Sequence, residues 1–421
     1  MGATDRVLQR HGACDSQTRP EDHPTVSLRW DRDRVVSARR GDTVSLALLD
    51  EGILETSLSV KYRRSRGAYC LRGDCGTCLV RINGLPNRRA CMTRVAEGMR
   101  VQPQNRLVAG PDPTTLIDTM MRSGIDHHHL MVRPRVVNQI MQGVARGLTG
   151  LGTLPDAEPD HPARHEEHRP DVLVVGAGPA GRRAFEVLEE SGREVLWVDR
   201  LDRIGLEGQT GHALPDALLD ETGIFGVYPQ ERLWSAMSNV PGEPMVLRSI
   251  YPRHVVVATG ARDPTIPVAN NDRPGVVAAR GLVQQLARGK AQLKVEAVVI
   301  GKGTYAQGLA DALAAQLVAP EDVESIEGNP VDSVRLSDGK RSARLVALAA
   351  PPAPAFELAR QAGARVRWDG GGFAVEIDDL GRCLTEPWLV WAAGDVTGYK
   401  GNTAAADDGE RIARSLLQHD R

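Results

Sequence analysis

The segment from Asp171 to Arg200 constrains the fold of this chain more than any other. It reads DVLVVGAGPAGRRAFEVLEESGREVLWVDR: an apolar strand, a glycine-rich turn, a helix and a second apolar strand. Gly176, Gly178 and Gly181 occupy the three glycine positions of a dinucleotide fingerprint. Side chains at these positions would block the tight turn, the approach of a pyrophosphate and the packing of helix against strand.

The residues after the glycines fit the same interpretation. Pro179 and Ala180 stand in the first helical turn, whose free N–H groups point toward a pyrophosphate. Asp199 ends the second strand, where its carboxylate can accept hydrogen bonds from both ribose hydroxyls and disfavours a 2′-phosphate. Arg200 beside it is a further candidate contact. We therefore predict a dinucleotide site here rather than a structural turn alone.

Four of the six cysteines are concentrated in one short stretch, YCLRGDCGTCLVRINGLPNRRACMTRV. Cys70, Cys75 and Cys78 are spaced by four residues and then two, so that a single loop can surround an iron-sulfur cluster. Cys91 can supply a fourth ligand from later in the chain. This spacing predicts a 2Fe-2S cluster held by the four thiolates.

A zinc site and a thioredoxin-like redox motif are two other interpretations of the cysteines. Zinc typically takes two separated CxxC pairs, and only one is present here. A thioredoxin-like CxxC would need a βαβ context and would leave the two outer cysteines without a role. Gly73 and Gly76 also leave room for backbone N–H groups to point at sulfides, so we favour the cluster over zinc or free thiols. We expect Cys14 and Cys383 to be unligated.

Composition excludes several function classes. The formal net charge is −2 and aromatic residues make up 4% of the chain, which gives no basis for binding nucleic acid or an anionic membrane. Residues 1–24 lack the apolar run of a signal peptide, and no later run reaches transmembrane length. We expect a disordered tail over 1–24 and a cytoplasmic protein without a transmembrane segment.

Residues 25–108 are predicted to form the first folded domain, opening with a hairpin, a Gly41-Asp42 turn and a short amphipathic helix. Residues 109–170 are predicted to be a connector with helical apolar spacing, ending in a polar, proline-rich linker over 156–170. His127 to His129 have no acidic or cysteine companion at ligand spacing, so we interpret them as a solvated loop or a packing contact.

Two later apolar strands end in short glycine motifs. VVVATGAR carries Thr259 and Gly260, and WLVWAAGDVTG carries Gly394 and Asp395. Together with GAGPAG, these motifs resemble the two-dinucleotide-binding-domain flavoproteins, and that resemblance implies FAD. A flavin needs contacts from a distant strand end in addition to the first turn, and Asp395 is the candidate for that contact.

A second strand and glycine turn occur at AVVIGKGTYAQGLADALAAQL. Gly301 and Gly303 occupy the first two glycine positions, and Ala306 stands at the third, where only helix packing is at stake. The sequence shows no clear acidic residue at the end of the next strand. Two interpretations stay open: an NAD(P) site, and a structural remnant of a nested domain.

Four segments follow one another in an order that resembles the sarcosine oxidase alpha subunit: the cysteine stretch, the first glycine turn, GVYP at Gly226–Pro229, and ATGARDPTIPVANNDRPG. The order also resembles hydrogen cyanide synthase A plus B and the opine and proline dehydrogenase alpha-type subunits. This implies a β-grasp 2Fe-2S ferredoxin-like domain followed by a two-dinucleotide-binding-domain fold. The flavin domain would cover 171–262 and 384–421, and the NAD(P)-binding-like domain 263–383.

The resemblance also implies a function. Such a chain would form a heteromer with a second flavoprotein subunit of the beta-type amino-acid oxidase class, and would pass electrons between FAD and the cluster toward a downstream acceptor. No substrate-oxidising residues are recognisable, so catalytic residues are not assigned. Few residues separate Asp199 from the ATG strand, and we expect a helix and a strand there to be short or missing. The alternatives are a scaffold subunit without turnover and a stand-alone NAD(P)H-dependent reductase.

Overall fold

The computed structural model describes residues 25–59, 64–105, 135–136, 138–139, 163–238, 240, 243–289, 295–383, 385 and 389–419. The predicted N-terminal tail, Cys14, most of the predicted connector and the three consecutive histidines lie outside these ranges. Within them, no helix is both long enough and apolar enough to cross a membrane.

The first domain has the predicted β-grasp architecture. Its elements are β1 (Thr25–Trp30), β2 (Arg34–Arg39), α1 (Val44–Asp50), β3 (Ser57–Leu58), β4 (Ser65–Arg66), β5 (Leu79–Ile82), β6 (Leu85–Arg89) and β7 (Met99–Pro103). The main sheet has the order β2-β1-β7-β5-β6, with β1 and β7 parallel and the other pairs antiparallel. Helix α1 starts at Thr43, whose hydroxyl accepts a hydrogen bond from the Leu46 N–H at 3.2 Å.

The second domain begins with a parallel sheet and an antiparallel layer. Its elements are β8 (Arg164–His168), β9 (Val172–Val175), α2 (Pro179–Glu190), β10 (Val195–Val198), α3 (Arg203–Thr210), β11 (Leu218–Leu219), β12 (Thr222–Tyr228), β13 (Leu233–Ser238), β14 (Val246–Ile250) and β15 (His254–Val257). Strands β12, β13 and β14 are antiparallel, and β8 joins their edge in parallel with β14. Strand β9 is buried throughout, as expected for a central strand of a covered parallel sheet.

The third domain interrupts the second. Its elements are β16 (Ala261–Arg262), β17 (Val276–Ala278), α4 (Ala279–Gly289), β18 (Ala297–Gly301), α5 (Gly303–Ala312), β19 (Gln316–Val318), β20 (Val323–Gly328), β21 (Val331–Leu336), β22 (Gly339–Ser342), β23 (Leu345–Ala349) and β24 (Ala353–Pro354). Four strands form a parallel sheet of order β17-β23-β18-β19, and β20 to β22 form an antiparallel meander.

The chain then returns to the second domain. The remaining elements are α6 (Glu357–Gln361), β25 (Val366–Trp368), β26 (Phe373–Val375), β27 (Leu389–Ala392) and α7 (Asn402–His419). Strand β27 pairs with β15 and completes the order β11-β10-β9-β15-β27. Helices α2 and α7 cover one face of this sheet, and β13, β14 and α6 cover the other.

Three details bear on the sequence interpretation. Residues 164–168, expected within a linker, form strand β8, whose polar side chains suit its position at a sheet edge. The helix and strand expected to be short or missing are present and short, as the eight-residue α3 and the two-residue β11. Part of the range assigned to the nested domain, from Phe356 to Val375, packs on the core of the second domain because its apolar side chains meet β9 and β15.

The first and third domains share one hydrophobic core. Leu28, Val80 and Val101 of the first sheet belong to the same buried cluster as Val277 and Leu282 of the third domain. Backbone pairing continues across the boundary, since the Ala278 N–H donates to the Tyr69 carbonyl at 2.8 Å. The iron-sulfur domain is therefore fixed to the nested domain by apolar packing and by hydrogen bonds.

A buried ion pair joins all three domains. The Arg288 guanidinium of α4 contacts the Asp202 carboxylate at 2.6 Å, and the two side chains are 4% and 5% exposed. The same Arg288 group donates to the Gly41 carbonyl of the first domain at 3.1 Å. Asp202 also caps α3 by accepting from the Gly205 N–H at 2.7 Å.

We predict that Arg288→Ala lowers the free energy of unfolding by about 3 to 5 kcal/mol, because it leaves Asp202 buried without its partner. Urea or thermal unfolding of the full chain measures this loss. The control is Arg414→Ala, which removes an ion pair with Glu410 from an arginine that is 64% exposed, and it should change stability by less than about 1 kcal/mol. Equal effects of the two substitutions would contradict a central role for Arg288.

Candidate cofactor-binding site

The four predicted cluster ligands lie together at one end of the first sheet. Cys70, Cys75 and Cys78 stand in the loop between β4 and β5, and Cys91 lies in a 3-10 turn over Ala90–Met92. The Cys75 side chain is exposed and the other three are buried. The fold thus brings Cys91 next to the three cysteines of the loop, although it follows them in the sequence by more than ten residues.

Backbone N–H groups point at the sulfurs as the sequence predicted. The Sγ of Cys70 accepts from the N–H groups of Arg72, Asp74 and Cys75 at 3.5, 3.2 and 3.3 Å. Gly73 makes this curvature possible, with φ at +83°, and a Cβ there would lie 2.8 Å from the sulfur of Met92. Such N–H contacts stabilise thiolates and cluster sulfides.

Electrostatics within the cysteine set also suit metal binding. A hydrogen bond from the Cys75 thiol lowers the pKa of Cys70, and one from the Cys91 thiol lowers the pKa of Cys78. The donors Cys75 and Cys91 have raised pKa values because they hold the shared protons. Cys91 interacts with Cys70 as well as with Cys78, so the four sulfurs lie close together, as ligands of one metal centre must.

The arrangement differs from a site for one metal ion. Across the described ranges, no group of three or more His, Cys, Asp or Glu side chains has the geometry to hold a single ion. A 2Fe-2S cluster is held differently, by two cysteines on each of two irons. Four neighbouring cysteine sulfurs, those of Cys70, Cys75, Cys78 and Cys91, fit that requirement.

The first glycine turn has the geometry of a pyrophosphate-binding turn. Each of its three glycines is required or favoured for a different steric reason. A Cβ on Gly176, where φ is +112°, would lie 2.2 Å from the Ala258 carbonyl oxygen, and a Cβ on Gly181 would lie 1.9 Å from the Gly176 carbonyl oxygen. A Cβ on Gly178 would meet no atom within 4 Å. Gly176 and Gly181 therefore permit close packing, whereas Gly178 keeps open space at the start of α2.

Asp199 and Arg200 lie at the end of β10, as predicted, but both have protein partners. Asp199 accepts from the N–H groups of Ala177 and Leu201 at 2.7 and 2.8 Å, and burial raises its pKa. Arg200 forms an ion pair with Asp74 of the cysteine loop at 2.5 Å. The acid thus braces the glycine turn, and the arginine connects this turn to the iron-sulfur domain.

The motifs that carry Thr259-Gly260 and Gly394-Asp395 lie beside the first glycine turn. The Thr259 hydroxyl donates to the Ala355 carbonyl at 2.8 Å, and Gly260, with φ at +68°, faces open space. Asp395 accepts from the N–H groups of Lys400 and Gly401 at 2.8 and 3.2 Å, which orders the start of α7.

A cavity of about 340 Å³ lies between these elements. The predicted residues that line it are Gly176, Gly178, Pro179, Asp199, Arg200, Thr259, Gly260 and Asp395. Three other predicted residues, Ala180, Gly181 and Gly394, pack beneath the cavity wall. Ala180 is buried in the core, and a Cβ on Gly394 would lie 2.7 Å from the Ala180 Cβ. Gly181 packs on the glycine turn.

Sequence interpretation missed one wall of this cavity. Arg72 and Asp74 of the cysteine loop line it, together with Arg280 and Gln284 of α4. Burial and the nearby Arg280 lower the pKa of Arg72 to about 10. No local motif marks these residues, because they reach the cavity only after three domains have packed.

The second glycine turn is separate from this cavity. Gly301 is closely packed, since a Cβ there would lie 2.8 Å from Ala306 and Ala349, and Gly303 has φ at +79° with open space around it. Lys302 within the turn pairs with Glu321 at 2.5 Å. Glu321 lies three residues after the end of β19. The sequence does not single it out as the acid that follows the strand, because the end of this short strand is not evident from the sequence.

Comparison with known proteins agrees with this architecture. Residues 23–106 match a family described as a 2Fe-2S iron-sulfur cluster binding domain, which confirms the prediction for the four cysteines' domain. Hydrogen cyanide synthase subunit HcnA of Pseudomonas protegens is 37% identical over 90 residues, which are 21% of this chain and 82% of that protein.

The sarcosine oxidase alpha subunit of Rhizobium meliloti is 26% identical over 295 residues, which are 61% of this chain and 30% of that subunit. The chain belongs to the family of the hydrogen cyanide synthase subunit HcnA. It spans less than a third of the length of the sarcosine oxidase alpha subunits that it matches. The relatives named here are a subunit of sarcosine oxidase and a subunit of hydrogen cyanide synthase.

A solved structure has the same fold over nearly the whole chain. L-proline dehydrogenase from P. horikoshii superposes with a TM-score of 0.69 and 19% identity, covering 95% of this chain and 74% of that one. The match confirms the predicted succession of folds, a β-grasp domain followed by a two-dinucleotide-binding-domain fold.

We predict that Cys75→Ser abolishes the visible absorption of the cluster and lowers the iron content, because one iron loses a thiolate. Bound dinucleotide should be retained, since the glycine turn is unchanged. The matched control is Cys383→Ala, which removes a thiol from the core of the second domain. Full iron content in Cys75→Ser would reject the assignment of this ligand.

We also predict that Gly178→Val lowers dinucleotide content at least about tenfold, because its side chain would fill the space left for the pyrophosphate. Extraction and chromatography of the bound nucleotide measure the effect. Gly371→Val, at an exposed glycine without positive φ, is the control. Unchanged nucleotide content in Gly178→Val would mean that the turn is purely structural.

Proposed function

We propose that this chain is the flavin and iron-sulfur electron-transfer subunit of a heteromeric enzyme that oxidises an amine or amino acid. The observation that carries the proposal is the shared wall: Arg72 and Asp74 of the cysteine loop line the dinucleotide cavity. The two cofactor sites are therefore adjacent, and no intervening domain separates them.

The residues fit the two groups. Cys70, Cys75, Cys78 and Cys91 would hold a 2Fe-2S cluster, since the four sulfurs lie close together and backbone N–H donors are directed at Cys70 Sγ. FAD would lie in the cavity, with its pyrophosphate over Gly178. When bound, a flavin can take up two electrons together and release them singly, whereas this cluster carries one.

The protein's own part is to bind and orient. Helix α2 directs its N-terminal N–H groups into the space beside Gly178, which suits a pyrophosphate. Asp199 and Asp395 place carboxylates in the wall of the cavity, where they can accept hydrogen bonds from sugar or ribityl hydroxyls. Arg200 and Asp74 hold the cysteine loop against the cavity.

Family membership supports the heteromer. The sarcosine oxidase alpha and HcnA relatives are named as subunits, so we propose a second, flavin-containing subunit that carries the substrate pocket. No residues for substrate oxidation were recognised in this chain. The partner would supply electrons, and this subunit would transfer them toward an acceptor.

A second candidate function is a stand-alone NAD(P)H-dependent reductase. The observation in its favour is the open space at Gly303 of the nested domain, where a Cβ would meet no atom within 4 Å, as at Gly178 of the first glycine turn. Glu321 beside Lys302 gives this turn an acid after the next strand. Rapid bleaching of the flavin by NADH, without any partner, would favour this function over the first.

We predict that the full chain, purified without oxygen, contains both iron and flavin and shows cluster reduction when its flavin is photoreduced. Absorption spectra and electron paramagnetic resonance of the same sample measure the two groups. The Cys75→Ser variant, with flavin but no intact cluster, is the control. Material with neither iron nor flavin would overturn the proposal, and a colourless folded protein would leave a scaffold function.

A further inference from the structure

The arginines around the dinucleotide cavity differ in their partners. Arg200 pairs with Asp74 at 2.5 Å, Arg280 with Asp263 at 2.8 Å, and Arg262 with Glu357. Among the residues that the structure describes, no carboxylate forms an ion pair with Arg72, the fourth arginine in the cavity wall.

The polar contacts of Arg72 are incomplete. One terminal nitrogen lies 3.4 Å from the Ala261 carbonyl oxygen, which already accepts from Arg280 at 2.5 Å. Its Nε is buried and has no hydrogen-bond partner. Leaving a charged donor buried without a partner is unfavourable, so a group with these contacts is suited to a ligand that completes them.

A second unpaired atom lies in the same wall. The Oε1 of Gln284 is buried and has no hydrogen-bond partner, and Gln284 lines both the cavity and the small gap beside Arg72. A neighbouring glutamine on α4, Gln285, is fully used in holding Thr43 and Leu71 of the iron-sulfur domain. Packing between domains therefore explains the hydrogen bonds of Gln285. It leaves Gln284 Oε1 and Arg72 Nε without hydrogen-bond partners.

We propose that the iron-sulfur domain completes the dinucleotide site: the Arg72 guanidinium binds an acceptor oxygen of the dinucleotide, on its pyrophosphate or on its isoalloxazine ring. Gln284 supplies an acceptor at the same wall. This inference rests on the proposed function and adds to it a binding residue from a different domain. Because the Arg72 N–H also contacts Cys70 Sγ at 3.5 Å, one residue touches both cofactor sites.

The test compares Arg72→Gln, Arg72→Lys and the control Arg100→Gln, an exposed arginine on β7 of the same domain. Calorimetric titration of flavin-depleted, cluster-containing full chain with FAD and with ADP gives two dissociation constants for each variant. We expect Arg72→Gln to weaken FAD binding at least about tenfold, since it removes a charge-assisted hydrogen bond. Arg72→Lys should be intermediate, because it keeps the charge and loses the planar fork, and Arg100→Gln should bind like the unsubstituted chain.

Comparing FAD with ADP identifies which oxygen of the dinucleotide Arg72 binds. Weaker binding of both FAD and ADP assigns Arg72 to the pyrophosphate, and weaker binding of FAD alone assigns it to the isoalloxazine end. Visible circular dichroism of the cluster is recorded in the same titrations. Addition of nucleotide should change this signal in the unsubstituted chain and change it less in Arg72→Gln.

Unchanged affinities for both probes in Arg72→Gln, with full iron content, would overturn the inference and leave the proposed function intact. An unsubstituted chain that binds neither FAD nor ADP would overturn both. Should Arg72→Gln lose iron, Arg72→Lys decides: full affinity for both nucleotides counts against the inference, and reduced affinity with full iron supports it.

Discussion

The contact between helix α4 and the cysteine loop sets the arrangement of the whole molecule. Gly281 allows this contact, because a Cβ there would lie 2.1 Å from the carbonyl oxygen of Cys70. Gln285 then donates to the Leu71 carbonyl at 2.7 Å and accepts from the Thr43 hydroxyl at 2.8 Å. With the backbone of a cluster ligand pressed against α4, the loop has to border the cavity that α4 also lines.

Features encoded in short stretches of sequence were predictable. The structure shows close packing at Gly176 and Gly181 and open space at Gly178, a pattern that depends only on a strand, a turn and a helix that follow one another. The four cysteines were recognisable for a similar reason, since three of them share one loop. In both cases the chemistry follows from local spacing.

Features that depend on packing between distant segments were not predictable. Arg72 and Asp74 lie within the cysteine stretch, yet nothing in their spacing indicates that they face a cavity formed by residues more than 100 positions later. Strand β8 reads as a polar linker because its order comes from pairing with β14 rather than from its own side chains. Glu321 could have been found only by locating the end of β19.

The core shared by the first and third domains has a consequence for how such enzymes are assembled. Apolar side chains of α4 and β17 are buried against the ferredoxin-like sheet within one polypeptide. A chain that ended after this sheet would carry the same apolar face on its outside and would need another polypeptide to cover it. Joining the two domains in one chain turns a contact between subunits, whose occupancy depends on concentration, into a permanent part of the folded molecule.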